Sequence, residues 1–174
     1  MDEIWQQLPV IAQTQTLARS LKHFTGRDLL PTGSKLTVPV SGLPNAELGT
    51  LNPELPLRLT EKVFHAPFVL VSHGTEADPV LNYGNAAALA LWEMSWAELT
   101  RTPSRLTAEA PDRAERARLL VAVTARGFID DYSGVRISKT GRRFRIAQAT
   151  VWNLLSVTGD PCGQAAMFSH WEML

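Results

Sequence analysis

Ser72, His73 and Asp78 bring together, within seven positions, the side-chain types of a hydrolytic triad: a nucleophile, a base and an orienting carboxylate. On an extended segment, neighbouring side chains point to opposite faces, so Ser72 and His73 do not meet there. No G-x-S-x-G elbow accompanies them. The run SHGTEADP reads better as a tight turn, with Thr75 or Asp78 bonding the backbone and Gly74 in a left-handed conformation. A metal centre is no better supported. His23, His65, His73 and His170 are dispersed, with no H-x-x-x-H pair and no acidic partner at ligand spacing. The one cysteine, Cys162, excludes an internal disulfide and a cysteine-rich zinc site, and is read as a small packing residue. Asp130 or Asp131 with Tyr132 could form an acid–base pair, but a solvated strand start explains the DDY run equally well. No catalytic residue and no metal ligand is assigned, and the chain is expected not to be an enzyme.

Binding chemistry has more to work with. Gln148 and Thr150 fall on the alternate positions shared with Phe144, Ile146 and Trp152. If that row faces the interior, each must find a hydrogen-bond partner or cost roughly 1–3 kcal/mol. Two readings stand: a bond to neighbouring backbone, side chain or buried water, or the orientation of a ligand in an otherwise apolar cavity. Trp92, Trp152 and Phe168 are expected to wall such a cavity. Arg105 and Arg136 are candidate anchors for a carboxylate, which Arg binds bidentately, although Arg105 is better explained by a structural pair with Glu109 or a bond to helix-end carbonyls. Arg142, Arg143 and Arg145 make a basic cluster without aromatics on the same face, which reads as a solvated strand edge rather than a nucleic-acid surface.

The elements that must position these residues follow from periodicity and punctuation. Ile4, Leu8, Ile11, Leu17, Leu21 and Phe24 recur at helical spacing between a Pro9 start and a Gly26 stop, giving an amphipathic helix over 10–25 with a kinked turn before it. Residues 30–56 carry repeated Pro and Gly without periodicity and read as a linker or surface loop. The remainder gives a strand over 66–71, a turn, and a strand over 80–83. An Asn85-capped helix over 86–93 and a Ser95-capped turn follow. Pro111 then opens a longer helix ending at Gly127, with ion pairs expected for Glu109–Arg113, Asp112–Arg116 and Glu115–Arg118. Strands over 128–138, 143–155 and 163–171 close the chain, joined by turns at Thr140-Gly141 and 158–161. The order is β-β-α-α-α-β-β-β. The apolar stripe of the N-terminal helix must be buried either on the module's sheet or against a second copy, and the small-residue face of Ala147, Ala149 and Val151 could receive it.

At 174 residues with 45% apolar side chains, the chain is long enough for one compact domain plus an extension. A formal net charge of zero argues against nucleic acid or an anionic membrane as a partner. The apolar runs fall short of a membrane span, and the acidic start MDEIWQQL lacks the form of a signal peptide, so a cytoplasmic location is expected.

The element order resembles PAS sensor domains. The more specific resemblance is to the MEKHLA domain, a PAS-like family, carried by seven segments in order: SHG at 72–74, DPVLNYGN at 78–85, ALALWEMSWAEL at 88–99, PSRLTAE at 103–109, RGFIDDYSGVRIS at 126–138, GRRFRIAQATVWNL at 141–154 and GQAAMFSHW at 163–171. The helix before Gly26 looks like that family's N-terminal extension. The resemblance implies an α+β, PAS-like five-stranded antiparallel sheet with short helices on one face, preceded by the N-terminal amphipathic helix. The organisation expected is that helix over 1–30, a linker over 31–58 and the PAS-like domain over 59–174. It implies a sensory or regulatory role rather than catalysis. The expected occupant is a small organic ligand, with no cofactor predicted. Helix 112–126 offers no His for a haem and residues 84–126 no Cys for a covalent flavin. PAS-like modules commonly dimerise through such extensions, so a homodimer and an unidentified protein partner are expected. Two rivals remain: a ligand-free interaction or dimerisation module, and an enzyme on the same scaffold.

Overall fold

A computed structural model of the protein describes residues 3–30, 54–109 and 113–174. The helices are α1 (Leu8–Thr25), α2 (Glu54–Phe64), α3 (Ala86–Trp92), α4 (Trp96–Leu99) and α5 (Arg113–Arg126). The strands are β1 (Val69–His73), β2 (Leu81–Gly84), β3 (Phe128–Ile137), β4 (Arg143–Leu155), β5 (Pro161–Phe168) and β6 (His170–Met173). Among the described residues the strands form one antiparallel sheet in the order β2-β1-β5-β4-β3, with β6 paired to the first part of β4. This is the expected α+β architecture. The closing segment divides in two, β5 serving the second half of β4 and β6 the first.

Local signals explain most boundaries. Pro9 lies in the first turn of α1, and Gly26, at φ 73°, ends it with its N–H bonded to Lys22 O. A short 3₁₀ turn, Ile4–Gln6, precedes the proline. The Asn85 side chain accepts from Ala88 N–H at the start of α3, and Ser95 with Glu98 forms a capping box on α4. The structure adds α2, part of which falls in the stretch read as linker. Leu55, Leu59 and Val63 are spaced by four, and Pro56 sits in the first helical turn, where its missing N–H costs nothing. The rest of that proposed linker, 31–53, lies outside the described residues. Glu109 meets Arg143 at 2.9 Å. Of the other partners expected for the 109–118 ion pairs, Asp112, Arg113, Glu115 and Arg116 lie outside the described side chains, and Arg118 donates to Ala114 O at 3.4 Å.

The sheet is covered on both faces. On one, Leu17 and Leu21 of α1 with Leu59 and Val63 of α2 bury Leu70, Trp152, Leu154 and Ala165. On the other, Ala88 and Trp92 of α3 close over Val69, Phe144, Ile146, Ala149 and Phe168. The end of β4 is fastened to α1, with Leu155 N–H donating to Ser20 Oγ (2.9 Å) and Arg19 donating to Leu155 O (3.2 Å).

Two β-bulges decide which side chains reach which face. Gly134 opposes Ile146 and Tyr132 opposes Ala149, so β4 spends one more residue than β3 between these pairs, and Gln148 there has φ 54°. Ile129 opposes Val151, so β3 spends the extra residue next, and Asp131 has φ 60°. Beyond Gln148 the alternation of β4 is inverted. Ala149 and Val151 join Phe144 and Ile146 on the inner face, while Thr150, Trp152 and Leu154 turn towards α1. The expectation that Ala147, Ala149 and Val151 receive the N-terminal helix is corrected by this inversion.

Candidate functional site

A partly open cavity of about 60 Å³ lies between α5 and the inner face of the sheet. Its walls are largely apolar: Val71 of β1, Leu81 of β2, Trp92 of α3, Leu119 and Leu120 of α5, Ile146 and Val151 of β4, and Ala166 and Phe168 of β5. Polar side chains reach it from Thr107, Tyr132, Arg136, His73 and Gln164. Trp92 meets Phe144 and Phe168 edge to face, at centroid distances of 5.4 and 6.2 Å, which fixes its indole against the wall. Helix α5 is pinned over the space by side chains of the sheet. Gln164 Nε2 lies 3.0 Å from Leu120 O and from Thr124 Oγ1, and Asn153 Nδ2 donates to Val123 O at 3.0 Å.

Arg136 is the charged group of this cavity and is only 7% exposed. Its Nη2 donates to Tyr132 Oη (2.9 Å) and its Nη1 to Val135 O (2.8 Å), with Cζ 5.4 Å from the Tyr132 ring centroid. Among the described residues no carboxylate pairs with it. Burying an unneutralised cation costs several kcal/mol, of which two neutral hydrogen bonds and a cation–π contact offset only a part. Gly134 is what lets this pair form. A methyl group there would come within 2.4 Å of Tyr132 Oη and 3.2 Å of Arg136 Nη1. Trp92 adds a second donor: its Nε1 is buried and has no hydrogen-bond partner among the described residues.

The residues proposed from sequence thus separate. Trp92, Arg136 and Phe168 line the cavity. Gln148, expected on the inner row, is exposed at the bulge. Thr150 faces the α1 side, donating to Asp130 at 2.7 Å and lying 3.4 Å from Arg27 Nη2. Trp152 is fully buried beneath α1 and α2. Arg105 pairs with Asp78 (3.0 Å) rather than with Glu109, on the exposed surface. Tyr132, Gln164, Leu119 and Leu120 were not proposed as ligand contacts. The bulges hide Tyr132's face, and the side chains of α5 carry no sign of what they cover.

The catalytic combinations do not assemble. Ser72 Oγ accepts from Gln13 and donates to Asn82 on the α1 side, His73 Nδ1 lies 2.9 Å from Gly74 O, and Asp78 is held by Arg105. Asp130 turns outward to Arg27 (2.7 Å) and Thr150, while Tyr132 turns inward to Arg136. Partial burial raises the Asp130 pKa, but the Thr150 and Arg27 bonds outweigh it and hold the carboxyl below its usual range. Cys162 packs on the α1 side of the sheet, where burial pushes its thiol up against the opposing effect of Arg19. Among the described residues no group of three His, Cys, Asp or Glu side chains is placed to hold a metal ion, and no helix is long and apolar enough to cross a membrane.

Comparison with known proteins adds the family. The model of the MEKHLA domain matches residues 11–173. Solved structures share the fold. The PAS domain of a protein from Colwellia psychrerythraea superposes with a TM-score of 0.56 at 13% identity, covering 68% of this chain and 96% of that one. An RNA-binding light-oxygen-voltage receptor gives 0.58 at 22% identity, covering 75% of this chain and 36% of the receptor. A light-oxygen-voltage domain studied with a flavin analogue gives 0.52 at 14% identity, covering 67% and 84%. At these identities they speak for the fold alone. No curated protein matches the sequence. The order of strands, the helices on the inner face and a family match running from α1 to β6 agree: this chain belongs to the MEKHLA domain family and has a PAS-like fold.

Proposed function

We propose that the chain is a sensory or regulatory module that binds a small organic molecule beneath α5 and signals through a protein partner or a second copy of itself. The observation that carries this reading is the cavity. It is mostly apolar, and it is lined by a buried cation that no described carboxylate neutralises and by an indole N–H without a described partner. Its roof supplies a route for the signal. A ligand touching Leu119 and Leu120 bears on the same helix whose carbonyls are held by Gln164 and Asn153, so occupancy and the seating of α5 on the sheet are coupled.

A ligand-free interaction module is the second reading. It is favoured by exposed Trp171, Met173 and Leu174 at the β6 end of the sheet. Native mass spectrometry of the purified chain, followed by denaturing extraction, separates the two. The first reading expects a retained small molecule, or thermal stabilisation by members of a metabolite panel. A chain that retains nothing and is stabilised by nothing sinks ligand sensing, and the subunit count from the same spectrum tests the homodimer.

A further inference from the structure

We infer that the cavity ligand is a short-chain carboxylate whose anionic end is bound by Arg136 and Trp92. This inference rests on the ligand-binding reading above and specifies its chemistry.

At the Arg136 end of the cavity the polar groups are matched in kind. Guanidinium and indole N–H are donors that cannot accept, and the Tyr132 hydroxyl, which already accepts from Arg136, has its proton left to give. A neutral ligand rich in donors would leave these groups facing other donors. An anion answers all of them and neutralises Arg136. The planar fork of a guanidinium matches a carboxylate, and two of its five N–H groups are held by Val135 O and Tyr132 Oη, leaving the others to bind. Arg136 and Trp92 belong to one end of the cavity: Arg136 is the cross-strand neighbour of Phe144, and Phe144 is the ring on which Trp92 packs. The remaining wall, with Ile146, Val151 and Phe168, is apolar and suits an alkyl or keto tail. Size sets the class. The space, about 60 Å³ where a single water needs roughly 10–15 Å³, is small, and the class therefore begins with the smallest carboxylates, from acetate to pyruvate or butyrate.

The test uses the full chain in buffer free of carboxylates. Thermal shift and isothermal titration are run with acetate, propionate, butyrate and pyruvate, with the matched primary amides, and with nitrate and inorganic phosphate. The indole N–H signals are followed by NMR, with Trp92→Phe identifying the Trp92 resonance. The expected result is saturable stabilisation by one or more carboxylates, little from their amides or from inorganic anions, and a shift of the Trp92 resonance. Arg136→Met is expected to weaken binding by at least about tenfold, as loss of a charge-assisted bidentate contact does. Arg136→Lys keeps the charge and guards against a variant that does not fold. It is expected to bind more weakly than wild type and more tightly than Arg136→Met. Stabilisation by the neutral amides equal to or above that by carboxylates overturns the inference while leaving ligand sensing intact. So does an equal response to any small anion. Carboxylate binding unchanged in both Arg136 variants overturns it as well, leaving Arg136 a structural stay for Tyr132. If nothing binds and denaturing extraction releases nothing, both the inference and the ligand-binding reading fall.

Discussion

Single side chains carry two kinds of information in this protein, one concerning the ligand and one concerning pH. Glu93 belongs to the second kind. It ends α3 in a left-handed conformation (φ 56°), and its carboxylate accepts from Ser138 Oγ at 2.6 Å, from Thr140 Oγ1, and from Arg142 Nη1 at 3.2 Å. One residue thereby ties the end of the helix that carries Trp92 to the β3–β4 hairpin that carries Arg136. The hydroxyl bonds from Ser138 and Thr140, with help from Arg142, lower its pKa from 4.5 to about 2. A carboxyl depressed in the folded state contributes stability that is present above 4.5 and is lost as the pH falls towards 2. Carboxylate NMR should therefore show Glu93 titrating near pH 2. Glu93→Gln should lose less stability than the wild type between pH 5 and pH 2, the remaining loss coming from Glu98, which Lys139 and Ser95 depress in the same way, and from Asp130, which Thr150 and Arg27 depress. A Glu93 that titrates near 4.5 would deny the tie. None of this can be read from the residue's place in the sequence. Glu93 looks like an ordinary acidic residue at a helix end, whereas Asn85 and Ser95 announce their caps because their partners lie three residues away.

That contrast between local and distant partners governs the elements too. Helices and turns closed by near neighbours were legible: α1 from Pro9 to Gly26, the turns at Gly141 and Gly159, and the whole length of β4. The facing of β4 was not, because alternation assumes an unbroken ladder. The bulge at Gln148 inverts the ladder without a glycine or proline to mark it. This is why Thr150 and Trp152 belong to the α1 side and only Trp92, Arg136 and Phe168 of the proposed set meet at the cavity. Helix α2 was lost to Pro56, which marks a first turn as readily as a loop. Gly163 shows a requirement visible only in the assembled sheet. Its φ is +149°, and a methyl group there would come within 2.1 Å of His73 O, so β5 can approach β1 only as glycine. Gly163→Ala is expected to cost about 1–3 kcal/mol in denaturant unfolding. It should also displace His73 and Gln164, paired across the same strands, and thereby loosen the α5 roof. An alanine variant of wild-type stability would mean that β1 and β5 are not held this closely in solution.

On the scale of the molecule, the arrangement to explain is a PAS-like sheet with its second face under α1 and α2. In the expected organisation α1 was an extension whose apolar stripe could be buried on the module or on a second copy. Here Leu17 and Leu21 are fully buried over Trp152, Leu154 and Leu70, and Gln13 and Ser20 bond Ser72 and the end of β4. The helix is part of the core, in keeping with a family match that begins at residue 11. A dimer would accordingly need a surface other than this stripe, and the ends of the proposal can be told apart by removing it. Deleting residues 1–30 should strip the outer face, exposing Trp152 and its neighbours, and should yield a chain that binds hydrophobic dye, aggregates or fails to melt cooperatively. Leu17→Ala gives the graded version, a loss of about 2–5 kcal/mol with the subunit count unchanged. If the shortened chain instead keeps its melting temperature and changes only its mass on size-exclusion chromatography with light scattering, α1 is an assembly element. The sensor would then be the sheet and inner helices alone.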